Sequence, residues 1–465
     1  MAGPWVPTAD IDRAGGIRHR TNLLHSDLGT LLNRSGVRDA VHNLGWLVVD
    51  KAIRLVFTVC VGFWVARYLG PGRLGTLGYC TALVALLGFF PSLGLDAVLK
   101  RELLQSPART EELLASSSVL RLGAGMLAYM LVLLAVFFRW GLTAEESWLF
   151  AILGLTLFQQ AFLVPDLWLQ AHLRAKWSVV VQLAALTIGS ALRVWLILSS
   201  GSLVAFAWVA VIEMALGTAG IFLVARRLGL RIGGMGARVV TMGRLLAESW
   251  PLMFASLAII VYMKIDQVML RQLGGPVAVG IYAAAARISE IWYFLPVALA
   301  SSVLPALLRA RAGDASKYDA RLQQYYDLSA AAAYALSIPI ALVAPWLVRM
   351  AYGVEFAAAG PILAVHIWSS IFVFLGVARG QWLVNERLQR FYLVAALAGA
   401  VANVGLNLLF IPRWGGLGAA WATVISYALA GWGSSYFHPA VRSTAGMQTR
   451  ALLLPLLGWR YLRDR

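Results

Sequence analysis

Five basic side chains, Arg54, Arg193, Lys264, Arg287 and Arg379, stand inside runs otherwise apolar enough to cross a bilayer. A charge at the centre of a membrane helix costs roughly 2.5–3.5 kcal/mol on insertion scales, and more if it faces lipid. Such residues imply a polar cavity, and cations in a cavity suit an anionic ligand. The chemistry they point to is the transport of something negatively charged. Four carboxylates, Asp50, Glu213, Asp266 and Glu290, share the same runs or their edges and are candidates for ion coupling or structural pairing.

The local spacing weighs each candidate. Asp50 precedes Arg54 by four residues, so the two can pair on one helix face, against a reading in which Arg54 snorkels to the headgroups. Arg287 and Glu290 are one turn apart; they either neutralise each other or line a cavity just after a Gly/Pro turn. Lys264 and Asp266 are two apart and point to different faces, leaving Asp266 as a proton or cation relay or half of a salt bridge. Arg193 and Arg379 fall toward helix ends, where snorkelling competes with a cavity role. Glu213 has no local partner, and Arg193 on the neighbouring span is the expected one. Asp96 and Asp166 read as helix-end pairs, and Asn403 with Asn407 as interhelical hydrogen-bonders.

The elements that must position these groups are membrane helices. Of 465 residues 60% are hydrophobic and 13% charged, with a mean hydropathy of +0.74, whereas a soluble domain is about 25% charged. About twelve apolar spans recur, near 46–69, 76–97, 116–138, 147–169, 178–199, 203–225, 248–270, 280–303, 328–350, 361–384, 392–411 and 417–437. The ten-residue alternation of a membrane β-barrel is lacking. The expected fold is an all-α polytopic membrane protein.

A net charge of +17 could suggest nucleic acid, but its placement argues for topology. The two tails and the even-numbered connections carry 26 Lys and Arg; six lie at the odd-numbered ones. Both termini are therefore expected in the cytoplasm, with anionic lipid as a secondary partner. Residues 1–45 lack an uninterrupted apolar core and read as a cytoplasmic tail rather than a cleaved signal. Cys60 and Cys80 both fall within spans, which argues against a disulfide framework. No His/Cys cluster, nucleophile triad or P-loop points to a metal enzyme or an ATPase, so no cofactor is expected beyond H+ or Na+ coupling.

A period of about two hundred residues shows in the loops. Leu69-Gly70-Pro71-Gly72-Arg73-Leu74-Gly75 follows the first span, and Leu273-Gly274-Gly275-Pro276-Val277-Ala278-Val279-Gly280 the seventh. Such repeats commonly place a substrate site at their interface. The expected division is a tail over 1–45, a first lobe over 46–225, a basic linker over 226–247, a second lobe over 248–437 and a basic cytoplasmic tail over 438–465.

Four stretches carry a resemblance. Arg54 to Gly75, RLVFTVCVGFWVARYLGPGRLG, resembles the opening hairpin of bacterial polysaccharide flippases of the multidrug/oligosaccharidyl-lipid/polysaccharide exporter superfamily. PSLGLDAVLKRE from Pro91, KIDQVMLRQLGGPVAVGIY from Lys264 and NVGLNLLFIPRWGGLGAAWATVISY from Asn403 are similar to later parts of the same proteins. The resemblance implies two pseudo-symmetric six-helix lobes around a central cavity, alternating access, no enzymatic activity, and movement of undecaprenyl-pyrophosphate-linked oligosaccharide to the outer leaflet of the bacterial plasma (inner) membrane for O-antigen or exopolysaccharide synthesis. A polymerase or glycosyltransferases are the partners it implies. A drug or cation antiporter of the same superfamily is the first alternative, though it would want an acidic cavity. A lipid-linked peptidoglycan precursor is the alternative cargo. A membrane polymerase or ligase would need a substantial outer loop, and the odd-numbered connections are short.

Overall fold

The computed structural model describes residues 34–455, apart from 139, 173, 231–235, 312–314 and 387. The expected tail over 1–33, the glycine-rich centre of the linker, the last ten residues and the side chain of Asp50 lie outside the described residues. The described chain is helical, and among its residues nine segments are long and apolar enough to cross a membrane.

Three of those segments are double. Helix α1 (Arg34–Leu87) contains Gly70 at φ 68°, α2 (Val239–Glu290) contains Gly275 at φ 78°, and α3 (Gln389–Gly431) contains Gly415 at φ 55°. Only glycine takes these backbone angles without strain. In the first two a proline follows at once, where its fixed φ suits the first turn of a new helix. Side-chain contacts prove that the arms fold back. Lys264 Nζ lies 2.9 Å from Glu290 Oε2, although 26 residues of straight helix would hold them about 39 Å apart. Asn403 Nδ2 likewise donates to Ser426 Oγ at 3.1 Å across Gly415. In α1, Arg287 approaches both Gly62 and the Leu74–Ala85 arm. Nine segments with three hairpins make twelve passes, in two lobes.

Between the doubles, α4 (Thr110–Phe137), α5 (Ala144–Gln159), α6 (Ala175–Leu198) and α7 (Leu203–Arg227) complete the first half. Thr143 begins α5 with a reciprocal cap: Glu146 N donates to its Oγ1 at 3.3 Å and its own N donates to Glu146 Oε2 at 2.9 Å. In the second half, α9 (Ser369–Asn385) packs against α3, and α8 (Ala315–Tyr352) packs against α9.

Contacts between helices are made by small residues, as expected where lipid is as apolar as any side chain. Ala284, Ala285, Ala286, Ala419, Ala420 and Ala422 are all buried. Large apolar side chains such as Met126, Leu342 and Val401 point outward toward lipid. Two departures from the sequence reading concern the supposed tails and linkers. Helix α2 starts at Val239, inside the expected linker, because Thr241 and Leu245 bury against the first half. The expected C-terminal tail holds α10 (Arg442–Leu452), where Ala445 and Ala451 are buried and Gln448 Nε2 donates to Gly431 O at 2.9 Å. Its polar half keeps its hydropathy below that of a span, which hid it.

Candidate functional site

The hairpins of α1 and α2 meet at their tips. A Cβ on Gly75 would lie 1.7 Å from Pro276 O, and one on Gly280 would lie 1.9 Å from Pro71 O. The contact is reciprocal, backbone against backbone, and no side chain larger than hydrogen fits it. Two charged groups flank it. Arg67 Nε donates to Ala351 O at 3.0 Å and its Nη2 to Met350 O. Arg271 Nε donates to Glu146 Oε1 at 2.6 Å, tying α2 to the start of α5. Glu146 is only 1% exposed and already caps α5, so this carboxylate is held from both halves.

Behind this seal lies a cavity of about 360 Å³ between the halves. One wall is the Leu74–Ala85 arm of α1; the other is α2, which contributes Lys264, Gln267, Arg287 and Glu290, with Tyr352 of α8 at the side. Lys264 chelates Glu290, at 3.2 and 2.9 Å to its two oxygens. Glu290 is thereby taken from Arg287, the partner that an i,i+3 spacing suggested. Arg287 projects into the cavity with no hydrogen bond or ion pair among the described residues. Its Nη1 comes within 3.7 Å of a Cβ position on Gly62, so the absence of a side chain there leaves the guanidinium room. The cavity's charged set is two cations and one carboxylate, net positive.

A second polar cluster sits inside the second half. Asp266 is 1% exposed and its Oδ2 accepts from Tyr282 Oη and, at 3.0 Å, from Thr423 Oγ1. Asn407 Nδ2 donates to Asn403 Oδ1 at 2.9 Å, and Asn403 in turn donates to Ser426. Two acceptors, Asp266 Oδ1 and Asn407 Oδ1, are buried with no donor among the described residues. Oxygen acceptors without protons to receive suit a hard cation or a proton on the carboxylate. Lys264 and Asp266 thus meet different partners, as two-residue spacing on a helix requires.

The other candidates are elsewhere. Arg193 pairs with Glu213 at 2.6 Å within the first half, away from the cavity lining. Arg54 is partly buried and engaged with a neighbour. Arg379 is buried in the second half. Asp96 pairs with Arg121, and Asp166 accepts from Gln170 at 2.8 Å. The sequence reading did not single out Tyr282, Thr423 or the Arg271–Glu146 tie. The last was legible only as a cation at an odd-numbered connection and a capping box.

A profile of the family described as polysaccharide biosynthesis protein matches residues 40–311, more than half of the chain and including both hairpins. The chain belongs to that family. A comparison with curated proteins found no match. Among solved structures, an inward-facing multidrug resistance MATE transporter of the MOP superfamily is similar at a TM-score of 0.64 and 16% identity, covering 87% of this chain and 95% of that one. The lipid II flippase MurJ in an inward closed conformation is similar at 0.64 and 14%, covering 91% and 93%. A MOP superfamily transporter from Pyrococcus furiosus, whose binding pocket is described as reversed in polarity, is similar at 0.63 and 16%, covering 89% and 96%. These identities speak for the fold alone: a member of the polysaccharide biosynthesis protein family shares its architecture with MATE transporters and MurJ. Its relatives are transporters and flippases rather than enzymes.

Proposed function

We propose that the chain carries undecaprenyl-pyrophosphate-linked oligosaccharide from the cytoplasmic to the outer leaflet of the bacterial plasma membrane, for O-antigen or exopolysaccharide assembly. The observation that carries the reading is Arg287: a guanidinium in a cavity between the halves, without a counter-ion among the described residues, beside a carboxylate already neutralised by Lys264. A pyrophosphate supplies the missing charge, and a guanidinium takes two phosphate oxygens at once. By the placement of basic residues the hairpin tips face outward and both termini the cytoplasm. The Gly75–Gly280 contact then closes the outer side while the carrier loads, and the tips part to release it outward. Asp266 with Asn407 is the proposed site of a coupling proton or Na+, the energy source suggested by a chain with no nucleotide motif. The consumers of the product are a polymerase or glycosyltransferases acting on the outer-leaflet glycan.

The test is flipping in proteoliposomes of an undecaprenyl-pyrophosphate oligosaccharide, comparing wild type with Arg287→Ala. Transport lost in a variant that still inserts and folds supports the reading. Extrusion of organic cations, with no movement of the lipid-linked glycan, would replace it with the antiporter that the MATE neighbours represent. The MurJ likeness makes the lipid-linked peptidoglycan precursor the second cargo to try in the same assay.

A further inference from the structure

A second cavity, of about 280 Å³, lies wholly in the second half. It shares a wall with the first: Lys264 and Glu290 line one side, Met263 and Tyr293 the other. Glu290 and Tyr293 are three residues apart across a 3₁₀ turn, about 6 Å along the axis. The lining is aromatic. Tyr262, Tyr392 and Tyr427 reach it, and none of their hydroxyls makes a hydrogen bond among the described residues. Tyr262 and Tyr427 meet edge to face at 4.9 Å.

Arg379 closes this cavity and is 2% exposed. Its Nη1 donates to Ser434 Oγ and Ser435 Oγ, both at 2.7 Å, and its Nη2 to Ala430 O. Three of five donors are then used, and Nε is buried with no acceptor. No carboxylate pairs with it among the described residues. A buried cation without a counter-charge is costly unless something neutralises it. Serines and a carbonyl hold the group in place but bring no negative charge.

We propose that this cavity is a sugar subsite that selects an acidic residue of the glycan. The tyrosine faces and free hydroxyls take the ring, and Arg379, the cation in the cavity lining, takes its carboxylate. The volume is at the small end of ligand sites, which suits a single sugar ring rather than a lipid chain. The inference rests on the flippase reading and deepens it: pyrophosphate at Arg287, an acidic sugar one turn further on.

The test uses the purified full-length protein and three probes: methyl glucuronide, methyl glucoside and inorganic phosphate, followed by titration calorimetry. Glucuronide is expected to bind at least about tenfold tighter than glucoside, the scale of one hydrogen-bonded charge. Arg379→Gln, which removes the cation, should bring glucuronide binding down to that of glucoside. Tyr262→Phe with Tyr392→Phe, which keeps the shape and the arginine's anchors, should weaken both sugars. Equal binding of the two sugars overturns the proposal. So does phosphate competing as well as glucuronide, or displacement of glucuronide by phosphatidylglycerol in nanodiscs, which would make the ligand a lipid headgroup. The two readings fail separately. A wild type that flips a lipid-linked glycan but binds no glucuronide sinks only the subsite; one that binds glucuronide but flips nothing sinks only the flippase.

Discussion

The two halves of this molecule repeat each other in backbone and differ in chemistry. Pairing Gly70 with Gly275 also pairs Pro71 with Pro276 and Gly75 with Gly280, and the two tips touch through equivalent atoms. The same register sets Arg287 against Ala82, Glu290 against Ala85, Lys264 against Val59, Asp266 against Val61 and Tyr282 against Leu77. Among the described residues every charge of the cavity comes from the second half, and the first offers an uncharged wall. In the proposed function the seal is symmetric because closure needs two surfaces that fit. The proposed grip is one-sided, since a ligand bridged by strong charges from both halves would glue them together and oppose opening.

The sharpest way to break that comparison is to move the charge. Arg287→Ala should lower flipping by about a hundredfold or more, the scale of losing a desolvated charge-assisted contact of several kcal/mol. Adding Ala82→Arg returns a guanidinium to the same cavity from the opposite wall. If the one-sided grip matters, binding of the lipid-linked glycan returns while transport does not. Full recovery of transport would show that only the net charge of the cavity counts.

The symmetric seal predicts a symmetric defect. Gly75→Ala and Gly280→Ala each place a methyl group where a carbonyl oxygen now stands. Both should hold the tips apart and slow flipping by about tenfold, a cost of roughly 1–3 kcal/mol for overpacking. The converse variant joins the tips: a Cβ on Gly72 lies 3.8 Å from Val277 Cγ2, within reach of a disulfide. Gly72→Cys with Val277→Cys, in a background where Cys60 and Cys80 are replaced, should stop transport on oxidation and restore it on reduction. Unequal effects of the two alanines, or transport through the oxidised pair, would deny the seal its role.

Asp266 tests the asymmetry at the level of energy supply. Asp266→Asn keeps the shape that Tyr282 and Thr423 hold but removes the charge. Flipping should lose its dependence on the H+ or Na+ gradient and fall to a residual rate, about tenfold down, while the lipid-linked glycan still binds. Retained gradient dependence in this variant would place coupling elsewhere.

How far the sequence reached follows the same division. The hairpins were legible because glycine with positive φ and a following proline announce themselves in a short run, and the spans because lipid demands apolar length. Charges in spans were legible as costs, but not as partners. Glu290 pairs with Lys264 across a fold-back, and one-turn spacing to Arg287 gave the competing answer. Arg379 read as a group near a helix end and proved buried, since its anchors come from Ser434 and Ser435, 55 and 56 residues on. Arg271 and Glu146 carry no local sign of each other across 125 residues. Local spacing reports geometry within one helix, and these sites are made between helices.

The smallest effect belongs to the one cross-helix pair that sequence did suggest. Arg193 and Glu213 meet at 2.6 Å on adjacent helices of the apolar half, each about a quarter exposed, and neither lines the cavity. Polar contacts between membrane helices average about 0.6 kcal/mol, because each group finds other partners when the pair is broken. Arg193→Gln should therefore lower thermal stability in detergent only slightly and leave flipping within about twofold of wild type. Glu213→Gln should behave the same, and the double variant no worse than either. A large loss of transport from Arg193→Gln alone would place a second cation on the ligand's path, from the half that otherwise contributes none.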